Sequence, residues 1–211
     1  MVGQGVLREC LADDDVTSVL VLGRSPCGVT HAKVREVLRQ DFFDYSDITD
    51  VVTGFDACFF CLGVSSAGMR EEEYSRLTFD LTLHAARALV ERNPSMIFCY
   101  VSGAGTDSTE RGRVMWARVK GRTENHLLQL PFEAVYLFRP GFIQPLDGIR
   151  SKTRLYRTFY TVAGPLYPVL ERLFPSFVTD TARVGRAMIR VARNGYARQV
   201  LENRDINAVA A

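Results

Sequence analysis

Three side chains in the middle of the sequence have the types and spacing to act on a small molecule. Ser102 closes an apolar run over residues 96–101, and Trp116 and Lys120 follow in the segment WARVK. The last two are four residues apart, which puts them on one face of a helix. A serine hydroxyl can orient an oxygen atom, and a lysine ammonium can hold one by donating hydrogen bonds. Trp116 offers an indole N–H, a donor only, so it can polarise an oxygen but cannot exchange a proton with it. Open α/β sheets gather their ligands at the carboxyl ends of parallel strands, which is where Ser102 falls.

The elements that must carry these residues are readable as alternating apolar runs. Val6, Leu7, Cys10 and Leu11 predict an opening helix, ended by Asp13, Asp14 and Asp15. Residues 17–23, 57–62, 96–101 and 132–138 are short, nearly continuous apolar runs of the kind that parallel strands buried on both faces require. Residues 33–39 form a weaker strand candidate, and residues 48–54 a short helix or turn. Between the strands, residues 70–92 predict one long helix with a stripe of Tyr74, Leu77, Leu81, Ala85 and Ala88, stopped by Asn93-Pro94. Residues 113–130 predict the next helix.

This alternation implies an α/β protein with a doubly wound parallel sheet and helices on both faces, a single domain over residues 1–211. Beyond Pro145 the pattern changes to an aromatic segment containing Tyr156, Phe159, Tyr160, Tyr167 and Phe174, broken by Gly164-Pro165, Pro168 and Pro175. Residues 146–211 are therefore expected to form helices at the substrate-side edge of the sheet; pocket lining and a subunit contact are the other readings of the aromatics. Thr179 or Asp180 is placed to cap a final helix ending near Arg193, with Gly195 as its terminator.

Composition narrows the function classes. A chain of 211 residues, 47% of them hydrophobic, can bury one core, and a net charge of +2 with basic residues scattered among acids gives no footprint for nucleic acid. No apolar run approaches the ~18 residues of an integral membrane segment, and no signal peptide pattern opens the chain, so a cytoplasmic protein is expected. Cys58 and Cys61 form a CxxC, but a strand would send the two thiols to opposite faces. His31, His84 and His126 have no metal-ligand spacing, and no metal is expected.

The segments LVLGR at 20–24, DYSDI at 44–48, YVSGAG at 100–105, WARVK at 116–120 and FRPGFI at 138–143, in that order, resemble the short-chain dehydrogenase/reductase superfamily. Within it they are most similar to the atypical branch related to NAD-dependent epimerase/dehydratases and NmrA-like NAD(P)-binding proteins, over essentially the whole chain. The resemblance implies a Rossmann-like fold, a nicotinamide dinucleotide and a small carbonyl or hydroxyl substrate. In that family a first strand leads into a TGxxGxxG turn that receives the pyrophosphate. Met1, Val2 and Gly3 look like the last positions of that turn, so the first strand and first glycines are expected to be missing from the middle of the sheet. Either the reading frame starts upstream of Met1, or a shortened chain fills the slot another way.

By the same resemblance, Arg24 and Ser25 stand where NAD-preferring relatives carry an acid, and a guanidinium there suits the 2′-phosphate of NADP better than NAD. Asp47 and Ile48 would flank the adenine, the Leu62-Gly63 turn would approach ribose and pyrophosphate, and Lys120 would hold the nicotinamide ribose. Ser102 would orient the substrate oxygen. Trp116 occupies the position of the proton-exchanging tyrosine, and its loss typically removes ~10² to 10⁴ in rate. Tyr100, Thr106, Asp107 and Tyr74 lie near enough to be considered as replacement acids, and none has the required spacing. The expected activity is a weakened NAD(P)-dependent oxidoreductase or epimerase-like one. The alternatives are a non-catalytic NADP-binding sensor and a chain that binds no cofactor; a homodimer is compatible with the aromatic region.

Overall fold

The computed structural model describes residues 1–146 and 176–211, and the aromatic segment over residues 156–175 lies outside them. Strands β1 (Val19–Gly23) and β2 (Val34–Leu38) form one parallel ladder. A second parallel ladder runs in the order β3 (Ala57–Phe60), β4 (Ile97–Val101), β5 (Ala134–Arg139) and β8 (Val200–Glu202). Two further short strands, β6 (Phe142–Gln144) and β7 (Val178–Asp180), pair with each other, again in parallel.

Each long strand is buried on both sides because its side chains alternate between two apolar clusters. Phe98 and Tyr100 of β4 enter one cluster with Phe60, Ala85, Leu89, Leu127 and Leu137. Cys99 of β4 enters the other with Val6, Phe138, Val184, Met188 and Leu201. Helices therefore cover both faces, as a doubly wound fold demands. On one face lie α1 (Val2–Ala12) and α5 (Thr181–Asn194). They approach closely enough that a Cβ on Gly5 would stand 2.6 Å from the Thr181 carbonyl oxygen, and one on Gly185 would stand 3.1 Å from the Val6 Cα. On the other face lie α2 (Glu71–Ser75), α3 (Leu81–Val90) and α4 (Met115–Leu127), while α6 (Asn203–Ala210) follows β8.

No ladder joins β1 to β3 among the described residues, so each of these two strands, which belong to the two larger sections, keeps one edge unpaired. Both edges nevertheless feed the same clusters: Leu20, Leu22, Cys58 and Phe60 enter one, Val19, Phe59 and Cys61 the other. The CxxC thiols thus point to opposite faces, and burial pushes both Cys58 and Cys61 up to about 12, far from the thiolate that redox or metal chemistry needs.

The long helix expected over residues 70–92 is interrupted. A π-helical turn, Arg76–Asp80, separates α2 from α3. Its i→i+5 bonding inserts one extra residue and rotates the buried face, so Thr78, Phe79, Thr82 and Leu83 are buried while Leu77 and Ala88 of the expected stripe are only half-buried. Asn93 ends the segment as expected: its side chain accepts from Gly54 and Phe55 amides and donates to the carbonyls of Val52 and Leu89, satisfying four backbone groups. Asp180 caps α5 by accepting from the Arg183 amide, and Gly195 closes it at φ +70°.

The segment between β4 and α4 is positioned by contact with the helix. The Asp107 amide donates to the Ala117 carbonyl at 3.1 Å, and Gly121 faces the Asp107 carbonyl so closely that any Cβ would overlap it. Asp107 also accepts from Thr109 and from the Gly112 amide at 2.6 Å, bonds that hold its carboxyl below the usual range. Gly121→Ala is therefore expected to destabilise the fold by about 1–3 kcal/mol, the range of overpacked sites, read as a lower urea midpoint at unchanged slope. An unchanged midpoint would show that this segment does not rest on α4.

Candidate functional site

Helix α4 and the carboxyl ends of β4 and β5 converge on a group of polar side chains. Ser102 follows directly after β4 and is 7% exposed; Glu124, two turns into α4, is completely buried. The Ser102 hydroxyl donates to Glu124 Oε1 at 2.5 Å and lies 3.2 Å from the Phe138 carbonyl oxygen, a second acceptor. A hydroxyl has one proton, so both contacts draw it into the protein and leave only oxygen lone pairs for a ligand. Arg139, the last residue of β5, binds the same carboxylate through Nε at 3.0 Å and through Nη2. Burial opposes the Arg139 charge, but the Glu124 contacts outweigh it and hold its pKa above the ordinary value.

Lys120 reaches the same place from one turn earlier on α4. Its Nζ donates to the Ser102 carbonyl oxygen, so the structure brings Ser102 and Lys120 together. Burial lowers its pKa to about 8, opposed by the charge of Glu124. Trp116 is half-buried, packed against the cluster of Tyr74, Phe79, Leu83 and Val119, with its ring edge 3.7 Å from where a Cβ on Gly105 would stand. Its indole N–H has no partner among the described residues. Tyr100 lies on the Ser102 side of β4 as expected, but it is 1% exposed and burial raises its phenol far above the working range. Tyr74 is equally buried at 2%, so neither phenol is available as the missing acid.

The remaining expected residues fall at the same, carboxyl, ends of the parallel strands. Gly3, at the amino end of α1, lies beside Cys61: a Cβ there would stand 3.4 Å from the Cys61 Cβ. Met1, Val2 and Gly3 are thus adjacent to the start of the Leu62-Gly63 turn, where Gly63 has open space on the side a Cβ would take. Arg24 and Ser25 follow β1; the Arg24 carbonyl accepts from Gln40 at 3.3 Å, while its exposed guanidinium has no partner among the described residues. Asp47 pairs with Arg39 at 2.6 Å and keeps 67% of its side-chain surface exposed. Ile48, in contrast, turns its side chain into the core at 7% exposure, which leaves only its backbone to meet a ligand.

Sequence reasoning did not find Glu124 or Arg139. A signal existed: Glu124 sits four residues after Lys120 on the same face of the helix, and Arg139 ends the apolar strand that leads into FRPGFI. Neither position distinguishes a buried charge from a solvated one until α4 is docked on the sheet.

No protein-family model matches the chain. Among curated proteins it is 26% identical over 200 residues to the mitochondrial protein fmp52 of Emericella nidulans, covering 90% of this chain and 82% of that one. It is 28% identical over 157 residues to leucinostatins biosynthesis cluster protein T of Purpureocillium lilacinum and 24% identical over 143 residues to the rat protein HTATIP2. These matches cover 72% and 67% of this chain, and it spans 58% of the length of each of the two. Among solved structures, a short-chain dehydrogenase/reductase of Saccharomyces cerevisiae superposes with a TM-score of 0.65 at 14% identity, covering 99% of this chain and 94% of that one. The Bordetella bronchiseptica enzyme WbmF, in complex with NAD+, superposes with a TM-score of 0.63 at 13% identity, covering 98% and 73%. Strand alternation, parallel ladders and these superpositions agree that the chain has the Rossmann-type fold of the short-chain dehydrogenases/reductases and their epimerase-like relatives.

Proposed function

We propose that this chain binds a nicotinamide dinucleotide, NADP in preference to NAD, along the carboxyl ends of its parallel strands, and works in the cytoplasm as a slow oxidoreductase on a small carbonyl or hydroxyl compound. The observation that carries this reading is the Lys120 amine seated on the Ser102 carbonyl at the strand edge that also holds the amino end of α1. The residues present fit such a cofactor. The helix start at Met1, Val2 and Gly3 and the open face of Gly63 suit a pyrophosphate, Arg24 and Ser25 a ribose phosphate, and Lys120 a ribose hydroxyl. Asp47 and the Ile48 backbone remain for the adenine. When bound, the nicotinamide supplies or accepts a hydride.

The chain's own residues would then orient the substrate oxygen. The Trp116 N–H, without a partner among the described residues, donates to it, and the Ser102 hydroxyl, its proton already held by Glu124, accepts from the O–H of a hydroxyl substrate. Among the described residues no positioned phenol exchanges the proton, which is why the proposed rate is low. The inward-turned Ser102 proton also favours a second reading, a dinucleotide sensor that does no chemistry.

Trp116 is the single tryptophan, so its emission reports directly from the proposed site. NADPH is expected to quench it saturably and at lower concentration than NADH. Arg24→Ala should remove about tenfold to a hundredfold of that preference, the worth of one charge-assisted contact. Titrating both this chain and a form to which a designed β-strand has been added ahead of Met1 tests whether a strand between β1 and β3 is needed. If neither form gives a saturable signal, dinucleotide binding is ruled out.

Trp116→Tyr separates the two readings. For an oxidoreductase, restoring the phenol should raise turnover of a carbonyl panel by ~10² to 10⁴. The gain should decline as pH rises through about 8, because Lys120 carries its ammonium below that value and loses it above. A variant that binds NADPH yet reduces nothing faster than the parent points to the sensor.

A further inference from the structure

We infer that Lys120 is an imine-forming amine, a site at which a small aldehyde or ketone arriving at the carboxyl end of β4 is captured covalently. The first argument is the company the amine keeps. Among the described residues its only hydrogen-bond partner is the Ser102 carbonyl oxygen, and no carboxylate is free to pair with it. The nearest acid, Glu124, has both oxygens committed, one to Ser102 and Arg139 Nε and the other to Arg139 Nη2.

An ammonium drawn into the protein without a carboxylate partner is poorly solvated in its charged form and gives up its proton easily. Burial is the larger influence on Lys120, Glu124 the opposing one, and the balance leaves a pKa of about 8. A substantial fraction of the amine is therefore uncharged near neutral pH, the form that attacks carbonyls. The second argument is the neighbour one turn away. Trp116 has no ionisable group, so no anion at that position pairs with the amine and holds it as an ammonium. Its N–H, which has no partner among the described residues, is a donor that can polarise a carbonyl.

In the proposed step the Nζ lone pair forms a bond to the carbonyl carbon while the C=O π pair moves to oxygen. One proton passes from nitrogen to oxygen to give a carbinolamine. Loss of the hydroxyl with the second nitrogen-borne proton, as water, leaves C=N; hydrolysis reverses it, and no oxidant or reductant is consumed. Only the carbonyl class of ligand is taken from the function proposed above, and no dinucleotide is needed. A failed NADPH titration and a failed capture are thus separate results.

The sequence holds three lysines, Lys33, Lys120 and Lys152, which makes the site easy to map. The Lys33 ammonium is held by the Leu11 and Asp13 carbonyls at 3.4 and 2.7 Å and serves as the internal reference. The intact protein is treated with propanal and sodium cyanoborohydride between pH 6.5 and 9.5, which reduces any imine to a stable propyl amine, and the peptides are quantified by mass spectrometry. At pH 7, Lys120 is expected to be alkylated at least about tenfold faster than Lys33, since each unit of lowered pKa raises the uncharged fraction about tenfold. Its rate should reach half its maximum near pH 8. An unmodified Lys120 beside a propylated Lys33 overturns the proposal, and so does a Lys120 rate still climbing steeply above pH 9, as for an ordinary lysine.

Discussion

The placement of everything around the site depends on one buried charge, the carboxylate of Glu124. A carboxylate with no exposed surface is tolerated only where its oxygens are fully paired, and here Arg139 and Ser102 supply those bonds. Arg139 in turn donates to the Ser108 hydroxyl at 2.5 Å and reaches Glu202 at 3.4 Å. A single network therefore ties α4 to the ends of β4 and β5, to the segment that crosses between them, and to β8. Removing one partner from such a pair typically costs ~3–5 kcal/mol, because the remaining charge is stranded without solvent. The site is fixed by that requirement, and its catalytic options are set by what the network leaves over.

Little acid–base capacity is left over. The Ser102 proton is turned inward, Trp116 has a donor that does not ionise, Tyr100 is too deeply buried to deprotonate in the working range, and Tyr74 is just as deeply buried. Lys120 is the exception. It escapes the network because Glu124 is already satisfied; among the described residues it has no carboxylate partner, and burial brings its pKa down to about 8. The same geometry thus weakens proton transfer to a substrate oxygen and strengthens the amine as a group in its own right.

Much of the fold was legible because it rests on local rules. Strands β1, β3, β4 and β5 are continuous apolar runs, Asn93 stops a helix by saturating backbone groups, and Asp180 and Gly195 bracket α5 as a cap and a left-handed terminator. What escaped depends on contacts distant in sequence. The π turn over Arg76–Asp80 reflects packing of Thr78 and Phe79 that a 3.6-residue period does not encode, and β6, β7 and β8 are three-residue strands, too short to carry a period. Ser102 and Lys120 were singled out because they fall in the segments YVSGAG and WARVK that carry the resemblance. Glu124 was missed because its burial exists only once Arg139 arrives from a strand fifteen residues on.

The divided sheet adds a thermodynamic consequence. Among the described residues, sections β1–β2 and β3–β4–β5–β8 share side-chain clusters but exchange no ladder bonds, so the hydrogen bonding that normally makes a parallel sheet one cooperative unit is interrupted between β1 and β3. Arg24 and Ser25 follow one section, while Gly63, Ser102 and Lys120 belong to the other. A ligand held by residues of both must bridge the interruption, and any ligand that binds only the joined arrangement stabilises it by RT ln(1 + [L]/Kd). Occupancy and cohesion of the two sections are then linked in this chain. In an unbroken sheet, backbone hydrogen bonds would supply that cohesion without the ligand.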